Sequence, residues 1–276
     1  MKWSEKMANY QALYTNLRQL KLDRFAEHLG YLLDHQDEAP KSLSDALFEL
    51  TTAELKYREQ KKINLRIKLA RFPYEKTLAD FDFSYQPGIN QGIIEDLGSL
   101  RFTQENQNVL FVGTSGVGKT HLATAIGIEG CKQGISTQFI RCSDLINKLQ
   151  TAQVQGRSEE VLRRYARFQI LIIDEIGYLP IESVGAKLFF QLIERRYERK
   201  STIITTNIPL SKWGNTFSDK MLANAILDRL VHHAKVIRIT GRSYRMKDHL
   251  IEKKDNSGPD LSGFNAQNKE RSSETL

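Results

Sequence analysis

Residues 108–132 read NVLFVGTSGVGKTHLATAIGIEGCK, and within them Gly113-Thr114-Ser115-Gly116-Val117-Gly118-Lys119-Thr120 satisfies G-x-x-x-x-G-K-[ST] in full. The apolar run Val109 to Val112 precedes the pattern as a buried strand would, and a helical stretch opens behind it. Strand, glycine-rich loop and helix in that order make a cradle for phosphate. The glycines let backbone N–H groups turn inward, the helix N-terminus adds partial positive charge, Lys119 reaches the outer phosphates, and Thr120 can ligate magnesium. A chance glycine-rich turn would not explain both flanks. Gly113 to His121 is therefore the expected nucleotide-binding run, with His121 packing or capping at its end and doing no chemistry.

Outward from this loop, short apolar runs bounded by turn residues alternate with helical stretches. The runs are 108–113, TQFIRC at 137–142, FQILIID at 168–174, STIITTN at 201–207 and KVIRIT at 235–240. Such alternation predicts an α/β fold with a parallel central sheet covered on both faces. Upstream the period is helical: Leu13, Leu17, Leu20, Phe25, Leu29, Leu32 and Leu33 suggest two short helices, and after Pro40 a third runs from a Ser42 or Ser44 cap toward Pro73. The expected organisation is a small all-α region over residues 1–76, a turn-rich linker over 77–92, the α/β domain over 93–254, and a polar, disordered tail over 255–276.

The composition excludes several classes. Lys plus Arg number 40 against 33 Asp plus Glu, giving a formal charge of +7, and 40% of the 276 residues are hydrophobic, enough for a core. No run approaches the roughly 18 to 20 apolar residues of a membrane span, and the N-terminus lacks a signal-peptide pattern, so a cytoplasmic protein that engages no membrane is expected. Cys131 and Cys142 are the only cysteines and predict free thiols and no structural metal site. Nearly all of the positive excess lies in 55–76, where eight Lys and Arg face Glu59 and Glu75 alone. Lys56, Arg58, Lys61, Lys62, Arg66 and Lys68 are the candidate DNA contacts, because interleaved acids would have cancelled a phosphate-facing field. The competing reading is a solvated helix face.

Two further runs bear on chemistry. ILIIDE (170–175) is an apolar strand ending in two carboxylates, which suits Asp174 to hold magnesium through water and Glu175 to polarise an attacking water. STIITTN ends in Asn207, which could orient that water; on its own an Asn at a strand end is more often a turn former. His232-His233 reads as a helix-end pair, since adjacent helical residues face different directions.

Together with Asp228-Arg229 and Ser243-Tyr244-Arg245, these residues resemble the AAA+ ATPases of the helicase-loader and transposition-helper branch. They resemble still more closely the IstB family of insertion-sequence ATP-binding proteins. The likeness is carried by LRQLKLDRFAEHL (17–29), RFPYEKTLADFDFSYQPGI (71–89), GTSGVGKTHLA (113–123), LIIDEIGYLP (171–180), FFQLIERRYERKSTIITTN (189–207), KWGNTF (212–217) and ILDRLVHHAKVIRITGRSYR (226–245). The resemblance implies an ATP- and Mg2+-dependent helper that assembles as a homo-oligomer on double-stranded DNA, remodels it, and stimulates an IstA-like transposase of the same insertion sequence. It further implies that Asn207 is the sensor 1 residue, Arg229 an arginine finger acting in trans, and Arg245 the sensor 2 arginine. Read without the family, Arg229 is a helix ion-pair residue. The family also places the linker near adenine, where Phe81, Phe83 or Tyr85 would stack; a buried hydrophobic staple is the equal alternative.

Three rival functions differ in what they require. A DnaC-like replicative helicase loader shares the ATPase residues but needs a helicase-binding module in place of the basic helix. A P-loop metabolite kinase needs an acceptor site, whereas Asp174, Glu175 and Asn207 all serve water. A purely structural DNA-binding module would have no use for a hydrolytic constellation.

Overall fold

The computed structural model describes residues 2–34 and 42–246; the polar tail expected over 255–276 lies outside them. Three helices come first, α1 (Lys2–Gln19), α2 (Asp23–Asp34) and α3 (Leu43–Ala70). The apolar period predicts two helices over residues 12–33, and both form, but α1 already begins at Lys2. Ser42 is the cap of α3, its hydroxyl accepting from the Asp45 N–H at 3.2 Å.

The small core of this trio holds Leu17, Ala26 and Leu50, together with one carboxylate, Glu54. Glu54 accepts the N–H groups of Arg24 and Phe25 at the start of α2, each at 3.0 Å, and Arg58 Nε at 2.7 Å. Burial works against its ionisation, yet the Arg58 hydrogen bond and the two N–H groups outweigh it and hold the carboxyl below its ordinary range. The far end of α3 docks on the α/β part, where Gln138 donates to the Ala70 carbonyl and Phe72 meets Phe139 edge-on.

Residues 73–90 pass through turns, and α4 (Gln91–Gly98) begins inside the segment read as linker, capped by Asn90. Five strands follow, β1 (Asn108–Gly113), β2 (Thr137–Arg141), β3 (Ile170–Ile176), β4 (Ser201–Thr206) and β5 (Ala234–Ile239), one for each predicted run. They form a single parallel sheet in the order β2-β3-β4-β1-β5. Continuous apolar strands are what a parallel sheet buried on both faces requires. Leu110, Leu171, Ile173 and Ile204 face α6 (Cys142–Val154), α7 (Ser158–Ala166), α8 (Ser183–Arg196) and α9 (Lys220–Val231), whereas Val109, Phe111, Ile172 and Ile203 face α4 and α5 (Lys119–Lys132).

One charge is sealed into this architecture. Arg196, 1% exposed, donates to the carbonyls of Tyr165, Ala166, Phe168 and Ser201 and to the Thr202 hydroxyl, tying the end of α7 to the start of β4. Burial brings its pKa down to about 9. Cys131 and Cys142 are free and buried, and burial pushes their thiols up to about 11 and about 12. No described helix is long and apolar enough to cross a membrane.

Candidate nucleotide site

The carboxyl ends of the strands gather at one edge of the sheet, where ligands of open α/β sheets bind. Strand β1 ends at Gly113, and any Cβ there would stand 2.1 Å from the Ile239 carbonyl of β5, so only glycine lets the loop leave at this point. Gly118 closes the loop with φ of 101°, and a Cβ on it would come within 2.5 Å of the Phe81 ring. Helix α5 then starts at Lys119 with no side-chain cap, leaving its first N–H groups to the loop.

Lys119 is 9% exposed, and its Nζ donates to the carbonyls of Gly113 at 2.7 Å and Thr114 at 2.6 Å. Burial lowers its pKa, a shift resisted by Asp174 and reinforced by Arg245. Next to it Thr120 Oγ1 donates to Asp174, 3.0 and 3.2 Å from the two carboxylate oxygens. Asp174 is buried, and that burial raises its pKa, partly offset by hydrogen bonds from Thr205 and Thr120. A hydroxyl and a carboxylate in contact beside a phosphate loop form an all-oxygen donor pair suited to a hard divalent cation.

The two carboxylates of β3 part company at a bulge between Ile173 and Ile176. Glu175 takes φ of 61°, rare for a residue with a side chain, and its N–H donates to Thr205 Oγ1 at 2.9 Å. The bulge turns the Glu175 side chain out of the sheet and into the cleft while Asp174 stays buried. Asn207, just past β4, lines the same cleft, as does Arg245. Arg245 arrives on a segment that folds back after β5. In that segment the Tyr244 N–H donates to the Gly116 carbonyl at 2.9 Å, Gln86 Nε2 to the Arg242 carbonyl at 2.7 Å, and Tyr85 Oη to the Ser243 carbonyl at 3.2 Å. The linker and this segment thus hold the phosphate loop between them. The cleft measures about 650 Å3.

A model of the family described as IstB-like ATP binding protein matches residues 15–251. The chain belongs to that family. The ATP-binding protein of insertion sequence IS232 from Bacillus thuringiensis subsp. berliner is 50% identical over 90% of this chain and 99% of its own length. The corresponding protein of IS21 from Pseudomonas aeruginosa is 40% identical over 84% of this chain and 88% of its own. Among solved structures, the DnaC helicase loader is 25% identical with a TM-score of 0.50, over 63% of this chain and 99% of that one. DnaI, 22% identical with a TM-score of 0.53 over 63% and 93% of the two chains, shares the fold. Nucleotide binding by this IstB-like chain therefore rests on both the family and the loop.

The remaining predicted residues fall in different places. His121 Nε2 pairs with the Thr77 carbonyl at 2.9 Å, and burial lowers its pKa. Phe81 is buried over Gly118, 4.9 Å from Phe83 and 5.2 Å from His121, and also borders the cleft. Arg229 does not line its own chain's cleft. It lies over the Phe190 ring at 4.6 Å, donates to the Ala225 carbonyl, and stands 3.6 Å from Glu194.

The six basic candidates of α3 divide as well. Arg58 is tied to Glu54, Lys62 and Arg66 share Glu59, and Lys61 lies over the Tyr57 ring, whereas Lys56 and Lys68 are exposed without an ion pair among the described residues. Sequence reasoning passed over Thr205, Arg141 and Tyr74, all of which line the cleft. Period-two spacing from Asn207 could have pointed to Thr205. Tyr74 had no local signal; burial, aided by Asp174, pushes its pKa up to about 12.

Proposed function

We propose that this protein is an ATP-hydrolysing transposition helper that assembles on double-stranded DNA, remodels it, and stimulates the transposase of its own insertion sequence. The observation that carries the hydrolytic part is the split of Asp174 from Glu175: one carboxylate is held beside Thr120, and the other is turned into the cleft with Asn207. The insertion-sequence names of the relatives support the helper part.

In this reading ATP lies with its phosphates on the 113–120 loop. A magnesium ion held by Thr120 and, through water, by Asp174 would neutralise charge on the outer phosphates. Lys119 exchanges its two carbonyl acceptors for phosphate oxygens. Glu175 accepts a proton from the attacking water, Asn207 orients that water, and Arg245 meets the charge developing on the γ-phosphate. Arg229 supplies the same kind of charge to the cleft of a neighbouring copy, a role supported by its position outside its own cleft. Residues 1–76 engage DNA and assembly, and residues 93–254 carry the ATPase.

Paired substitutions test the reading. Lys119→Ala should lose ATP binding, whereas Glu175→Gln should keep ATP and lose turnover by about 10²–10⁴-fold. Glu175→Gln should also stay on duplex DNA in ATP. Normal hydrolysis by Glu175→Gln would refute the assignment of the base. Copurification with a replicative helicase, and no effect on the transposase, would favour the loader reading that the likeness to DnaC supports.

A further inference from the structure

At the opposite edge of the sheet from the cleft, the turn after α8 meets the turn after α9. Because α9 ends at Val231, His232 and His233 lie in a turn, and their imidazoles converge where adjacent helical residues would diverge. The ring centroids are 4.1 Å apart. Both rings point at one oxygen: Glu198 Oε1 stands 3.2 Å from His233 Nε2 and 3.6 Å from His232 Nδ1. The three ligand atoms lie within 4.8 Å of one another, the one such group of His, Cys, Asp and Glu among the described residues.

We propose that Glu198, His232 and His233 bind a divalent transition ion of the zinc class. Bond lengths of about 2.0–2.2 Å to nitrogen and oxygen place neighbouring ligand atoms of a tetrahedral ion roughly 3.3–3.6 Å apart, close to the spacings found here. A dication shared by the two imidazoles and the carboxylate satisfies all three lone pairs at once. The backbone supports the arrangement. Glu198 is held at φ of 56°, an unusual conformation for a side-chain-bearing residue, and its carbonyl accepts from Asn106 Nδ2 at 3.1 Å. Tyr197 Oη lies 2.7 Å from His232 Nδ1, and Tyr197 directly precedes Glu198 in the chain, so its hydroxyl can turn toward the carboxylate and leave Nδ1 to the ion. Three protein ligands leave the fourth position open to water. Arg229 leaves α9 one turn before His232, so an ion here would also fix the helix end that presents it.

The experiment is a titration of chelator-stripped, nucleotide-free full-length protein with Zn2+ by calorimetry, and with Co2+ by visible absorbance. The wild type should bind one equivalent of Zn2+ and give a low-symmetry Co2+ spectrum. His232→Ala and His233→Ala should each weaken binding about tenfold or more, and Glu198→Gln with His233→Ala should abolish it. His28→Ala, at the part-buried imidazole–carboxylate pair with Glu49, should leave it unchanged. Circular dichroism would confirm that each variant is folded. Absence of a bound equivalent in the wild type, or equal affinity in His233→Ala, would overturn the proposal.

Discussion

Thr205 stands between the two carboxylates of β3: its hydroxyl donates to Asp174 Oδ1 and accepts the backbone N–H of Glu175. One side chain on β4 thus holds the buried acid by its oxygen and the exposed acid by its backbone, across the bulge that separates them. Thr205→Val keeps the shape and removes both bonds. It should cost about 1–3 kcal/mol of stability, because a buried carboxylate loses a donor and a part-buried N–H an acceptor. Turnover should fall while ATP affinity changes little. Urea unfolding and steady-state phosphate release would show this, and an unaltered turnover number would mean that the bulge holds without Thr205.

Burial raises the Asp174 pKa, and the charge of Glu175 adds to the rise. The folded-state value therefore lies above the unfolded one of about 3.9. Such a group contributes stability below the unfolded value and loses it as pH climbs through the folded value. Without nucleotide, Asp174→Asn should accordingly be more stable than the wild type at neutral pH, and the gap should close on acidification. Urea midpoints across pH 4 to 7 would decide it, a less stable variant at neutral pH being the refuting result.

Arg229 pairs with Glu194 at 3.6 Å and packs on Phe190, contacts that predict at most about 1 kcal/mol of stability for a half-exposed ion pair. As a trans-acting cation it should matter far more for catalysis. Arg229→Ala should bind ATP and hydrolyse it about 10³-fold or more slowly. Mixing it with Lys119→Ala on DNA should restore part of the activity, since one copy supplies the arginine and the other the intact loop. If no mixture exceeds its components, Arg229 is a helix residue only.

The pairing pattern on α3 sharpens the DNA prediction. Among the described residues, Lys56, Lys61 and Lys68 have no carboxylate within ion-pair distance, whereas Lys62 and Arg66 already face Glu59. Replacing the first three with Gln should lower the salt slope of duplex binding by about 0.9 per cation, alike on unrelated sequences. Replacing Lys62 and Arg66 should lower it less. Equal slopes for wild type and triple variant would move the DNA contact off this helix.

Some of this protein could be read without coordinates because the information is local. GTSGVGKT specifies its own loop: positive φ at Gly116 and Gly118 and a lysine opening a helix are properties of a few consecutive residues. The five apolar runs became five strands for a similar reason, since a strand buried on both faces must be apolar throughout. What tertiary structure decided concerns residues far apart in the chain. Glu54 lies just outside the basic run of 55–76, and only the packing of α2 on α3 makes it a buried partner of Arg58 and an acceptor for two α2 N–H groups. Arg196 reads as one more surface cation of ERRYERK, yet five acceptors brought together by α7, the turn that follows it and β4 bury it. His232 and His233 converge only because α9 stops one residue before them and Glu198 arrives from another turn. Local sequence carries backbone preference and apolar period; the partners of a charge are set by which elements the sheet order makes neighbours.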